Sequence, residues 1–285
     1  MDITELHDYF FDTLKALDSY CRENDIQYQI MWGTLLGAAR HCDFIPWDDD
    51  VDVILNRDNY DKFCKLAKKI PEGYRLVMPG DEGVFYDFMP RFVNTNIVVD
   101  RHDFDIASDI PKHIFNPGID VYVIEPSYTG FRHKLHWCHK MILYGLARGH
   151  RPFEKEISYA GKSGILLKLS GKILQVIGKH MDIQKIANRF DNISRKCNNS
   201  KGMVFNSNGE PIGITAQFES KWFETSVPLM IRDSKFPAPV GYKELLTAIY
   251  GDYTKYPDES KRKPYHYNVV YNPANFDPEN VNIDE

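Results

Sequence analysis

Four aspartates fall within five consecutive positions, Asp48, Asp49, Asp50 and Asp52, a few residues after the stretch Trp32-Gly33-Thr34-Leu35-Leu36-Gly37-Ala38-Ala39-Arg40. Carboxylates packed this closely repel one another at neutral pH, and a bound divalent cation is the usual way to make them compatible. Asp50, Asp52 and Ile54 fall on one side of an extended segment, with Val51, Val53 and Leu55 on the other. Two carboxylates on one strand face suit hard oxygen coordination, which leaves positions open for water and substrate phosphates. The expected cofactor is Mg²⁺ or Mn²⁺, held by Asp50 and Asp52, with Asp48 at the substrate.

The residues before the acids fit a phosphate-handling site. The alternation from Ile26 to Trp32 predicts a strand that delivers the chain into a turn at Gly33, where glycine tolerates positive φ and lets the backbone approach a phosphate. Thr34 adds a hydroxyl there. Arg40 has two readings, a guanidinium fork holding a phosphate oxygen or a cation neutralising the acids. His41 is expected to be a neighbour of the site rather than a catalyst.

Gly-Thr-Leu-Leu-Gly-x-x-Arg, running from Gly33 to Arg40, followed by Phe44-Ile45-Pro46-Trp47-Asp48-Asp49-Asp50-Val51-Asp52, resembles the signature of the LicD family of phosphotransferases, which includes the fukutin-related proteins. Phe236-Pro237-Ala238-Pro239, then Tyr250-Gly251-Asp252-Tyr253, Pro257 and Arg262, is similar to that family's closing segment. The resemblance is weakest between about Arg148 and Lys235. It implies a nucleotidyltransferase-like fold in which a Gly-Thr turn sits beside an Asp-x-Asp strand and a later strand supplies a third carboxylate. Asp120, opening the apolar run Val121-Tyr122-Val123-Ile124, is the candidate for that acid, as metal ligand or general base. Asp100, Asp103, Asp105 and Asp109 are its competitors, in a stretch that reads as loop. Arg91 stands where the family usually has lysine, so it keeps a positive charge for a donor phosphate or for an acid, and Thr95 follows it.

The resemblance further implies transfer of a phospho-alcohol group from a CDP-activated donor to a glycan hydroxyl, releasing CMP. Phosphocholine from CDP-choline is the leading donor group, with a lipopolysaccharide, teichoic acid or capsule polysaccharide, or its lipid-linked precursor, as acceptor. CDP-ribitol or CDP-glycerol is the alternative donor, and nucleotidyl transfer releasing pyrophosphate the alternative reaction. Tyr250 and Tyr253 could stack on a sugar or a base, enclose a choline ammonium, or simply pack beneath the C-terminal loop.

The other chemistry-bearing residues are less persuasive. His133, His136 and His139 turn progressively around a helix with no second ligand pair, which argues against zinc. Gly161-Lys162-Ser163 lacks the first glycine of a phosphate-binding loop, since Glu156 stands in its place. Asn192-Ile193-Ser194 and Asn198-Asn199-Ser200 match a glycosylation pattern that matters only on a secretory route.

Composition bounds the setting. The chain of 285 residues is 43% hydrophobic and 26% charged, with 35 Lys and Arg against 40 Asp and Glu. A net charge of −5 gives no polyanion-binding footprint, so nucleic acid is not the expected partner. Five widely spaced cysteines (Cys21, Cys42, Cys64, Cys138, Cys197), an acidic start without an apolar signal core, and no long apolar run predict a cytoplasmic protein.

The elements that must position the acids follow from periodicity. Leu6, Phe10, Leu14, Leu17 and Cys21 form a helical stripe with Thr4 as its expected cap, and Asn56 to Leu66 predicts a helix leaving the Asp strand. Tyr74 to Val99 reads as strands interrupted by prolines. Ile165 to Lys179 predicts an amphipathic helix with lysines on one face. That helix either packs its apolar face on the domain, the favoured expectation, or lies on the inner face of an anionic membrane. Asn192 to Asn208 reads as loop, and Gly251 as a helix stop. The expected fold is α+β, a nucleotidyltransferase-like mixed sheet core with flanking helices and a helical C-terminal region. Residues 1–126 form the catalytic core in this reading, and 127–285 complete it with the closing segment 236–266.

Overall fold

The computed structural model describes residues 1–81, 85–100, 114–151, 162–197, 202–209, 217–267 and 269–272. Its first helix, α1 (Ile3–Glu23), buries the predicted stripe Leu6, Phe10, Leu14 and Leu17 completely or nearly so. The cap is Asp2 rather than Thr4, because the Asp2 carboxylate accepts from the Thr4 backbone N–H at 2.8 Å. A two-residue strand β1 (Gln29–Ile30) leads into α2 (Trp32–His41), and β2 (Val51–Asn56) into α3 (Arg57–Lys65), which the Asn56 side chain caps.

Strands β3 (Tyr74–Val77), β4 (Arg91–Asn94), β5 (Val99–Asp100), β6 (Ile114–Phe115) and β7 (Gly118–Pro126) come next, then helices α4 (Gly130–Ala147), α5 (Lys162–Gly178) and α6 (Ile183–Arg195). The chain closes through β8 (Met203–Asn206), β9 (Gln217–Glu219), the hairpin β10 (Ser226–Ile231) and β11 (Ser234–Pro239), and α7 (Tyr242–Tyr250). The stretch 192–208, expected as loop, instead contains the end of α6 and all of β8.

One mixed sheet organises these elements. Its strand order is β1-β2-β7-β4-β3, with β8 on the C-terminal part of β7 and β9 beyond it. The β2–β7 pair is parallel and the other pairings are antiparallel. This is the α+β architecture the sequence implied, although residues 127–285 contribute strands as well as helices. Because β8 and β9 extend the same sheet, residue 126 falls within a continuous layer. The first five residues of β2 are all buried, so its alternation separates two covered faces rather than core from solvent.

Two apolar clusters support the sheet. The larger joins α1, β2, β7, α2 and α7 around residues such as Leu14, Val53, Val121 and Leu245. The smaller gathers Phe85, Phe88, Tyr144, Ile186, Phe190 and Phe205 between α4 and α6. Arg57 links the two regions, reaching Glu125 on β7 at 2.8 Å and Asp191 on α6 at 2.8 Å. Gly251 ends α7 at φ +70°, as its type suggested, and its N–H donates to Thr247 O.

Candidate active site

The expected glycine turn is a helix start. Trp32 carries the positive φ, +48°, while Gly33 sits in the first turn of α2. Glycine is needed there for space: a Cβ on Gly33 would lie closer than 3.0 Å to the Asp48 carboxylate. Two backbone groups lock this helix to the acid strand. Met31 N–H donates to Asp52 O at 3.0 Å, and Asp52 N–H donates to the Thr34 hydroxyl oxygen at 2.9 Å. Thr34 is buried, so its hydroxyl fixes the height of Asp52 along β2.

The parallel pairing then sets the acids in a row. Asp52 is in register with Asp120 on β7, and Asp120 is in register with Arg91 on β4. Directly paired residues share a sheet face, with neighbouring strands roughly 4.8 Å apart. Asp52 is 4% exposed and its Oδ1 accepts no hydrogen bond among the described residues. Burial, then Asp50, Asp120 and Asp48, push its carboxyl well above the usual carboxylate range. Burial with Asp50 and Asp49 does the same to Asp48.

The four clustered aspartates separate into two roles. Asp48, Asp50 and Asp52 line a cavity of about 620 Å³ together with Gly33 and Arg40. Asp49 turns the other way, accepting from the backbone N–H groups of Tyr265, His266 and Tyr267 at 3.0, 2.7 and 2.7 Å. His266, which the sequence reading did not single out, reaches the Asp50 carboxylate with Nε2 at 3.1 Å. No local motif signals it, because the contact spans more than two hundred residues of chain.

The closing segment forms the far wall. Trp32, Trp47, Tyr250, Tyr253 and Tyr256 supply aromatic surface to the cavity. Arg40 is almost fully buried. Its Nη1 donates to Tyr253 O at 3.0 Å and to Lys255 O at 3.3 Å, and the guanidinium stacks on Tyr256 at 4.8 Å from the ring centre. These bonds fasten the segment after Gly251 onto α2. His41 accepts from Arg40 Nε at 3.0 Å, and burial with the adjacent cation lowers its pKa to about 4, so it is neutral at physiological pH.

The remaining candidates lie elsewhere. Asp100 ends β5, and Asp103, Asp105 and Asp109 lie outside the described residues. Gly161 and Asn198-Asn199-Ser200 are outside them too. His136 contacts Cys197 at 3.6 Å, and among the described residues no group of three or more His, Cys, Asp or Glu, the acid row included, is spaced to hold a metal ion as it stands. At the acid row, the fit to a cation rests on the buried Asp52 Oδ1, which accepts no hydrogen bond among the described residues, and on carboxyls whose pKa values are raised by burial and then by one another. That donor set is all oxygen, which suits Mg²⁺ or Mn²⁺.

Comparison with known proteins agrees with this geometry. Residues 25–87, which carry β1, α2, β2 and α3, match the family model described as LicD/FKTN/FKRP, nucleotidyltransferase domain. The chain is 27% identical over 270 residues to the lipopolysaccharide cholinephosphotransferase LicD of Haemophilus influenzae, an alignment covering 90% of this chain and 94% of that protein. Shorter similarities join it to uncharacterized proteins of Rickettsia typhi, 34% identical over 67 residues (23% of this chain, 22% of that one), and Rickettsia prowazekii, 43% identical over 49 residues (17% and 18%). The matched segment holds the helix start, the acid run and the strand that carries Asp52, and it is this segment that is similar to the nucleotidyltransferase domain of the LicD family.

Proposed function

We propose that this protein is a CDP-alcohol-dependent phosphotransferase that moves phosphocholine from CDP-choline to a hydroxyl of a cell-surface glycan or its lipid-linked precursor, releasing CMP. The observation that carries the reading is one cavity with carboxylates at its base and five aromatic side chains on its wall. A diphosphate-bound cation belongs at the first, and a quaternary ammonium is attracted to the second. Similarity to a cholinephosphotransferase over 94% of that protein's length supports the choice of group.

In this reading Asp50, Asp52 and Asp120 would hold Mg²⁺ or Mn²⁺, which when bound would neutralise charge on the diphosphate. Thr34 and Gly33 fix where the acids stand. Arg91, in register with Asp120, offers a guanidinium to the phosphoryl oxygens. The acceptor oxygen attacks the phosphorus that bears choline, its bond to CMP breaks, and the acceptor proton passes to Asp120 or a neighbouring carboxylate. Positioning and electrostatics supply most of the rate enhancement. A cytoplasmic site of action goes with this donor.

The test is CMP release from CDP-choline, CDP-ribitol and CDP-glycerol, with Mg²⁺ or Mn²⁺ and a glycan extract from the host, using Asp52→Asn as control. Cation-dependent CMP from CDP-choline that the variant does not release is the expected result. CMP from CDP-ribitol or CDP-glycerol alone would reassign the donor. The family model's description, a nucleotidyltransferase domain, favours one second reading. Pyrophosphate from CTP and a phospho-alcohol, with no CMP from any donor, would replace the phosphotransferase by that activity.

A further inference from the structure

Helices α4 and α5 differ in charge from the rest of the chain. The 18 residues of α4 include Arg132, Lys134 and Lys140, those of α5 include Lys162, Lys168 and Lys172, and neither helix contains an Asp or Glu. The whole chain has a net charge of −5. Lys140 is buried, whereas Arg132, Lys134 and Lys172 are exposed, so basic side chains without a helical acid beside them reach the surface here.

Their packing exposes what a core helix would hide. Helix α4 turns His136, Lys140, Leu143, Tyr144 and Ala147 inward. At 100° per residue, Phe131, Leu135 and Ile142 form a stripe on the opposite side, with the exposed Cys138 among them. Helix α5 lies against the C-terminal part of α4 through glycines. A Cβ on Gly145 would lie closer than 3.0 Å to Leu174, and one on Gly178 closer than 3.0 Å to the Leu146 carbonyl. Close approach along the Leu174–Gly178 edge leaves Leu169, Ile173, Val176 and Ile177 on the outer face. These seven apolar side chains are between 48% and 73% exposed. The expectation that α5 would pack its apolar face on the domain is therefore not met by Leu169, Ile173, Val176 and Ile177. The glycines gave the contact to its other edge.

We infer that the outer faces of α4 and α5 together dock peripherally on an anionic lipid bilayer. Charge complementarity selects this occupant: Arg132 and Lys134 flank the apolar stripe of α4 on its two sides, and Lys172 and Lys179 border that of α5, all four exposed. Long basic side chains beside apolar ones place their charges at the headgroups while the apolar row enters the acyl boundary. No helix among the described residues is long and apolar enough to cross a membrane, so the contact is with one leaflet. The inference concerns a surface away from the acid row and stands whether or not CDP-choline is the donor.

Flotation of the full chain with vesicles tests it. Wild-type protein is expected to float with phosphatidylethanolamine–phosphatidylglycerol vesicles and not with phosphatidylcholine vesicles, and to be released by high salt. Ile173→Glu/Val176→Glu and Lys172→Glu/Lys179→Glu are each expected to lower the bound fraction at least tenfold while leaving CMP release with a soluble acceptor unchanged. Failure to bind anionic vesicles would overturn the proposal, as would variants that float like wild type. Sedimentation velocity supplies the other arm: a dimer in lipid-free buffer that Ile173→Glu/Val176→Glu dissociates would assign the face to a second copy and also overturn it.

Discussion

Gly33 and Asp48 compete for one volume: the first turn of α2 passes so close to the Asp48 carboxylate that a single methyl group on Gly33 would meet it inside van der Waals distance. The glycine thus holds an acid at the cavity wall by having no side chain, where the sequence had suggested a backbone bend.

Gly33→Ala is expected to push the Asp48 carboxylate aside and to destabilise the protein by about 1 kcal/mol, the low end for overpacking, because the obstructing atoms are the end of a side chain rather than backbone. In an Asp48→Ala background the same change should cost much less, because the obstructing oxygen is gone. Chemical denaturation of the four proteins in a double-mutant cycle measures this coupling, and additive losses would contradict the steric account.

Asp52→Asn is expected to lower the rate on the order of a thousandfold or more, through loss of cation-dependent charge stabilisation. Its stability should move the opposite way when no cation is present. The folded-state pKa of Asp52 is raised, so the stability this carboxyl contributes is present below its unfolded pKa and is lost as pH rises through the folded value. At pH 8 without divalent ions the variant should melt above wild type. Adding Mg²⁺ should reverse that order, and a wild-type melting temperature indifferent to both pH and Mg²⁺ would sink the metal assignment.

Asp49→Ala should loosen the C-terminal strap. Three backbone N–H groups lose a charged acceptor at once, costing roughly 3 kcal/mol or more. Tyr267, now packed beside Phe10 at 6.4 Å between ring centres, should become exposed along with its neighbours. Faster proteolysis at residues 265–267, with α1 still protected, is the expected pattern. A cleavage rate equal to wild type would show that the strap holds without Asp49.

Lys140 gives the fold a separate pH dependence. It is fully buried among Ser194, Ser207 O and Phe190 O, and burial lowers its pKa to about 7 even though Glu125 opposes the shift. A lowered folded-state pKa means that its contribution is fully present above the unfolded pKa of 10.5 and is lost as pH falls through about 7. Between pH 7 and 10 the wild type should gain up to about 1.4 kcal/mol per pH unit relative to Lys140→Met. Urea titrations at several pH values check the slope. Parallel stability curves for the two proteins would refute it.

What the sequence determined by itself was local. Charge crowding at positions 48 to 52 announced carboxylates that raise one another's pKa, the stripe from Leu6 to Cys21 announced α1, and Gly251 announced the end of α7, because each depends on neighbours a few residues away. It also nominated Asp120 from the apolar run that follows it. Only the tertiary structure decided that the parallel β2–β7 register sets Asp120 beside Asp52 with Arg91 next in the row, since register depends on which strands meet. The same holds for Asp49, which turns away from its neighbours because backbone N–H groups more than two hundred residues later require an acceptor. Nor could the sequence show that Arg40, for which it offered a phosphate oxygen or the acids as partners, also donates to the carbonyls of Tyr253 and Lys255. The outward face of α5 escaped the sequence for a related reason. An amphipathic period shows which residues share a face, but contact of Gly145 with the Leu174 side chain and of Gly178 with the Leu146 backbone determined which face was covered.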